Sequence, residues 1–346
     1  MTSYTDDTDL NAIIASALES ADPERIILEK LRYDGHILVV DGAGGPVEFD
    51  LDRYGRVFLV GVGKAATRMA GAVEKLLGER IDGGAVVTKW GHAEPLGRVE
   101  VFEAGHPVPD EAGVRAARRI ETILDGADEG SLVISVISGG GSALLVSPYS
   151  DEAHQLALED LQETTRLLLS SGATIQEINC VRKHLSNVKG GRLARRFAPS
   201  PSLNLILSDV VGDDLASIAS GVTSPDPTSY GDALAVAEKY GILASLPESV
   251  VRLLRQGAAG RVPETPGPQE RLFEGVHNVV VGSNALALGA ARATAEERGF
   301  NTLVLTSRLT GEAREMAKLF SGIAGDIAAH GSPVPPPACL LVGGET

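Results

Sequence analysis

Basic residues are scarce: 31 Lys and Arg stand against 46 Asp and Glu in 346 residues, a formal charge of −15. A surface that negative repels polyanions at long range, which excludes nucleic acid and anionic membranes as partners. Cysteine is nearly absent, and Cys180 and Cys339 supply neither a disulfide framework nor a metal-ligand spacing. Aromatic residues make up only 4% of the chain, so its one basic segment has no interleaved rings on which bases could stack. No run of about 18 apolar residues occurs. The N-terminus, MTSYTDDTDLNAI, is too acidic for a secretory signal. A cytoplasmic protein is expected. The Walker pattern G-x-x-x-x-G-K-[ST] is also missing, so any nucleotide must be held by other means.

What is present is glycine and aliphatic residues in alternation. At 346 residues, 43% of them hydrophobic and 40 of them glycine, the chain exceeds one usual core, and two domains are the default expectation. Helical periodicity over residues 9–32 breaks at Asp22-Pro23. HILVVD and RVFLVG read as strands, followed by the helix AATRMAGAVEKLLGE, the strands GAVVTKW and RVEVFEAG, a helix over 111–126 and the strand SLVISVI. Runs of Val and Ile of this kind suit a sheet covered on both faces. A long helix is expected over 150–170. A first domain over residues 1–240 and a second, smaller α/β domain over 241–346 are expected, with a Pro/Gly break at TPGPQE. The end, ACLLVGGET, reads as a strand entering a turn with no element after it, which points either to a fragment or to a peripheral strand.

Two glycine loops follow strands. GVGKAA, with Gly61, Gly63 and Lys64, matches the G-x-G-x-x-A variant of the dinucleotide turn. The acidic residue a nicotinamide site needs at the end of the next strand is absent; Lys89 and Trp90 stand there. Lys64 lies in the first turn of the coming helix, against its dipole, at a cost of about 0.3–1 kcal/mol when exposed. It either reaches into solvent or, with the free amides, holds a phosphate or carboxylate. The second loop, Ser138, Gly139, Gly140, Gly141 and Ser142, can make a nest of amides for an anion, with Ser142 capping a helix or donating to an oxygen.

Between Glu177 and Asp209 there is no acidic residue, while Arg182, Lys183, His184, Lys189, Arg192, Arg195 and Arg196 all fall there. This points to a positively lined pocket for an anionic substrate. His184 is either a general base or a packing histidine, and His106 in GHPVPD either a base or a loop anchor. Asp209 follows a strand and can hold Mg²⁺ or orient a hydroxyl; Asp213 and Asp214 either join it or cap a helix. Phosphoryl transfer to a small acidic hydroxyl compound makes use of each group.

GVGKAA, AGHPVPD, SGGGSALL, NCVRKHLSNVKGG, LSDVVGDDLASIASGVTSPDPT, VVGSNALAL and LVGGET, in this order, resemble the glycerate 2-kinase family, whose members are often labelled hydroxypyruvate reductases. The resemblance implies ATP- and Mg²⁺-dependent phosphorylation of D-glycerate to 2-phosphoglycerate. It also implies a Rossmann-like three-layer α/β/α first domain, a smaller α/β domain and a cleft between them. It makes Lys64 the catalytic lysine and residues 138–142 the phosphate or substrate loop. Asp209 becomes the carboxylate near the nucleotide phosphates, with Arg182, Lys183 and Lys189 lining the cleft. Val222 stands where the family has proline, which should loosen that loop. The family continues past GGET with a segment carrying an arginine, so the second domain is expected to be truncated here. An NAD(P)H-dependent hydroxypyruvate reductase and a noncatalytic binding protein for hydroxy acids are the alternatives. Monomer and homodimer both remain open.

Overall fold

The computed structural model describes residues 7–42 and 44–345. The acidic start up to Asp6, Ala43 and the final Thr346 lie outside the described residues. Helices α1 (Asp7–Ser20) and α2 (Pro23–Lys30) are parted at the Asp-Pro step. The Asp22 carboxylate accepts from the amides of Glu24 and Arg25 at 3.1 and 3.0 Å, which satisfies donors that the first turn leaves open. Strands β1 (Leu31–Tyr33), β2 (Ile37–Gly42) and β3 (Gly45–Asp50) form a small antiparallel sheet. HILVVD is thus a strand, though of this sheet and not the main one.

The main body runs from β4 (Arg56–Val62) through α3 (Ala66–Leu77), β5 (Gly83–Lys89), β6 (Glu100–Ala104), α4 (Glu111–Leu124) and β7 (Ser131–Ile137). Helices α5 (Gly141–Leu144), α6 (Leu158–Ser171), α7 (Ile175–His184) and α8 (Arg192–Phe197) lead to β8 (Ser202–Leu207). Then come α9 (Tyr230–Lys239), α10 (Glu248–Ala258) and β9 (Val276–Gly282). Six strands pair in parallel in the order β6-β5-β4-β7-β8-β9. Every residue of β7 is buried, as expected for a central strand covered on both faces. The order runs outward from β4 one way and from β7 the other, so a crevice opens between their carboxyl ends.

One face packs Ile27, Leu59, Met69 and Val73, the other Val60, Ala116, Ile120 and Phe197. Helices α6, α7, α9 and α10 build a third core around Leu168, Val181, Tyr230 and Leu253. The expected helix over 150–170 begins only at Leu158. Ahead of it the Asp151 carboxylate accepts from the amides of Ala153 and His154 at 2.8 and 2.7 Å, fixing a turn that competes with helix.

The remaining elements are α11 (Asn284–Glu297), β10 (Asn301–Thr310), α12 (Ala313–His330) and β11 (Ala338–Glu345), with β10 and β11 paired in parallel. The large sheet crosses the expected boundary at residue 240, because β9 is its sixth strand. The smaller unit begins after Gly282 and recruits the other end of the chain: Ser16 Oγ donates to Ala290 O at 3.1 Å and Arg298 pairs with Asp9. ACLLVGGE is a strand, as expected. Among the described residues no helix is long and apolar enough to cross a membrane.

Candidate active site

The two glycine loops interlock at the carboxyl ends of β4 and β7. Gly63 has φ +127°, and a Cβ there would lie 2.2 Å from Ser138 Oγ, so only glycine fits. Lys64 N donates to Gly139 O at 2.9 Å, Ser138 N to Val62 O at 2.9 Å, and Ala65 N to Ser138 Oγ at 3.1 Å. The last bond supplies α3 with an acceptor from the neighbouring loop, since the methyl of Ala65 at the N-cap position offers none. Lys64 itself is exposed and makes no ion pair among the described residues. Gly61 belongs elsewhere: a Cβ on it would come within 2.4 Å of Val136 Cγ2. Sheet packing alone therefore requires glycine at this position.

Asp209, just past β8, lies against the second loop; a Cβ at Gly139 would sit 2.0 Å from its Oδ2. On Gly140 a Cβ would fall 3.0 Å from His106 Nε2 and 3.2 Å from Lys64 Cε. Lys64, His106 and Asp209 therefore converge on Gly139-Gly140 from three different strand ends. Burial holds the His106 pKa below the ordinary value, helped by Lys64 and Lys89 and opposed by Asp209. The imidazole is neutral at pH 7. Gly141 packs against Ala219, and Ser142 Oγ lies 2.8 Å from Ser220 Oγ, which in turn donates to Asn179 Oδ1 at 3.1 Å. Ala219 and Ser220 adopt φ +48° and +58°. Two such residues in succession store about 1–3 kcal/mol each, strain of a kind that gathers at functional loops.

Asp214 lines this cleft and accepts from Ala216 N at 3.2 Å and Ser217 Oγ at 2.5 Å. Asp213 sits in the turn itself at φ +56°, with its amide on Val210 O. Val222 is buried at 1% exposure in the apolar core.

The basic segment divides. Arg182 faces the cleft and has no carboxylate partner among the described residues. Lys183 turns the other way and pairs with buried Asp226 at 3.2 Å, so the expectation that it lines the cleft is corrected. Lys189 is buried and donates to Ser142 O at 2.7 Å and Leu145 O at 3.1 Å, directly behind the loop. His184 is a packing histidine: Nδ1 lies 2.7 Å from Cys180 O, Nε2 3.3 Å from Glu264, and the ring meets Tyr230 edge-on. Its role as a base is withdrawn. Sequence reasoning missed Asn179 and Ser220, whose only signal is a polar residue on the buried face of a helix and a serine in a Gly/Ser loop.

Two adjoining cavities share Gly140, Ser142 and Arg182. One, of about 530 Å³, also meets Asn179, Asp209 and Thr310; the other, of about 730 Å³, meets His106, Pro107, Val108 and Leu169. A larger hollow of about 840 Å³ lies around Arg118, Glu121 and Arg196, where Arg196 and Glu121 pair at 3.6 Å; none of the glycine-loop residues line it. Among the described residues no three His, Cys, Asp or Glu side chains gather as a metal cage. The donor set at the cleft, Asp209 beside a phosphate-type loop, suits Mg²⁺ brought on phosphate oxygens.

Residues 9–255 match a family described as a domain of unknown function (DUF4147). Over 334 residues the chain is 41% identical to a protein of Pyrococcus horikoshii named glycerate 2-kinase, covering 96% of this chain and 72% of that one. It is also 41% identical to the D-glycerate 2-kinase of Thermotoga maritima, with the same coverage. A crystal structure of glycerate kinase from Thermotoga maritima superposes with a TM-score of 0.81 at 38% identity, over 98% of this chain and 74% of that one. A Pyrococcus horikoshii structure gives 0.85 at 40% identity, over 100% and 76%. The convergence of the glycine loops, Lys64 and Asp209, together with likeness over nearly the whole chain, leads to one conclusion: the chain belongs to the glycerate kinase family.

Proposed function

We propose that this protein is a glycerate 2-kinase that transfers the γ-phosphoryl group of ATP to the 2-hydroxyl of D-glycerate, giving 2-phosphoglycerate and ADP. One observation carries the mechanism: Lys64, His106 and Asp209 meet at Gly139-Gly140 in the crevice of a sheet whose strand order is Rossmann-like. The loop amides and the Lys64 ammonium receive the phosphate oxygens and offset the charge spread over them during transfer. Asp209 is placed to hold Mg²⁺, which when bound neutralises phosphate charge. The neutral imidazole of His106 is placed to take the proton from the attacking hydroxyl, as the oxygen bonds to phosphorus and the bond to the ADP oxygen breaks. Arg182, with no carboxylate partner among the described residues, faces the acidic substrate. The site would work in the cytoplasm, where ATP is supplied.

Product analysis tests this. With the full reading frame, D-glycerate and Mg-ATP should give 2-phosphoglycerate, separable from 3-phosphoglycerate by chromatography and mass spectrometry. Oxidation of NADH by hydroxypyruvate without ATP would instead establish a reductase, and ligand binding without any product a noncatalytic binder.

A further inference from the structure

Arg182 and Lys189 are two cations behind one loop with no anion between them. Lys189 is 4% exposed and rests on two backbone carbonyls, Ser142 O and Leu145 O. The best bond of Arg182 is a long one, 3.4 Å, to Thr165 Oγ1. Neither approaches a carboxylate within ion-pair distance among the described residues. Thr164 Oγ1, fully buried, has no hydrogen-bond partner. A small cavity of about 30 Å³ joins these groups and shares Ser142, Thr165 and Arg182 with the wider cavity in front. A buried amine and a half-buried guanidinium, neither paired with a carboxylate among the described residues, are costly to charge unless an anion arrives to meet them.

Resting on the kinase reading above, we propose that Arg182 and Lys189 form the subsite for the carboxylate of the hydroxy-acid substrate, on the far side of Ser142 from the phosphates. Phosphates belong with Lys64 and Asp209, so the remaining negative group of the substrate falls to this pair. A planar guanidinium suits a carboxylate by two parallel bonds. Occupation also moves a proton. Burial, and then Arg182, push the Lys189 amine down to about 7, so at pH 8 it is mostly neutral in the free protein. An anion beside it restores the ammonium, and substrate binding takes up a proton. The other charged groups that line the wider cavity are His106, Glu159, Glu163 and Arg166.

The test is calorimetric titration of D-glycerate into the protein at pH 8 in two buffers of different ionisation heat. Close to one proton taken up per glycerate is expected, and the same with D-lactate, which keeps the carboxylate and lacks the 3-hydroxyl. Lys189→Arg, permanently charged, should bind glycerate without uptake. Lys189→Met should weaken binding about tenfold or more. Binding of glycerate by the wild-type protein with no uptake overturns the proposal, whatever the variants do. So does uptake that persists in Lys189→Arg, or uptake seen with inorganic phosphate but not with the two hydroxy acids. If uptake appears but no 2-phosphoglycerate is ever formed, the subsite stands and the kinase reading falls. If 2-phosphoglycerate forms without uptake, the reverse holds. Absence of both glycerate binding and product sinks the two together.

Discussion

Asp209 Oδ2 occupies the space in which a side chain on Gly139 would begin: a Cβ there would lie 2.0 Å from that oxygen. The loop after β7 and the carboxylate after β8 are thus fitted to each other without slack. Gly139→Ala should displace the carboxylate and lower kcat by roughly 10²-fold, the cost of about 1 Å of misplacement. It should also destabilise the fold by about 1–3 kcal/mol through overpacking. Combining it with Asp209→Ala should recover that stability, as measured by denaturant unfolding of the single and double variants. Strict additivity of the two would show that they do not touch.

The Lys64 ammonium has no hydrogen-bond or ion-pair partner among the described residues, and its side chain lies beside Gly140. Lys64→Ala should cost roughly 10²–10³-fold in kcat, the penalty for losing one preorganised group that meets transition-state charge. Melting temperature should be little changed, since the side chain is exposed. Steady-state kinetics with D-glycerate and Mg-ATP decide it, and undiminished turnover would remove Lys64 from the chemistry.

If His106 is the base, it should set the acid limb of the pH profile. Burial, Lys64 and Lys89 disfavour the imidazolium, so the folded pKa lies below the ordinary 6.5. kcat/KM should be level on the neutral side and fall with a midpoint below 6.5. Lys64→Ala removes one of the repelling charges and should move the limb upward, toward 6.5. His106→Gln should abolish the limb and lower the plateau. A limb that Lys64→Ala moves downward would contradict this electrostatic account.

Lys183 and Asp226 form a buried pair at 3.2 Å, away from the cleft, and Thr228 Oγ1 also donates to the same carboxylate oxygen. Lys183→Met leaves that carboxylate buried without its cation and should cost about 3–5 kcal/mol of stability. The double variant with Asp226→Asn should cost less than the single one. Thermal unfolding of both checks the order, and glycerate KM at a temperature where both are folded should stay within a few-fold of wild type.

Much of the fold is legible because burial on both faces leaves a continuous apolar signature, as in SLVISVI, and because Asp22-Pro23 is a local stop. The antiparallel strand β3, GPVEFD, was missed because one apolar face on a short charged segment resembles a loop. The helix over 150–157 was overcalled because the Asp151 turn is made by side-chain bonds that periodicity does not register. At the site, the glycine loops after two strands mark Lys64 and Ser138–Ser142, and the structure brings the two loops into contact. Charge counting alone could not separate Arg182, which faces the cleft, from its neighbour Lys183, which pairs inward. Adjacent residues on a helix point about 100° apart, and only the packing of α7 decides which of them faces the cleft. Gly61 shows the same limit, since a motif places a glycine without saying whether a ligand or a valine needs the room.

The measurement that bears most directly on the account is a crystal structure with ADP, Mg²⁺ and D-glycerate bound. Lys64 Nζ should lie about 3 Å from a phosphate oxygen, with Gly139 and Gly140 amides turned to the same group and Asp209 beside them. A lysine pointing into bulk water, with the phosphates held elsewhere, would contradict it.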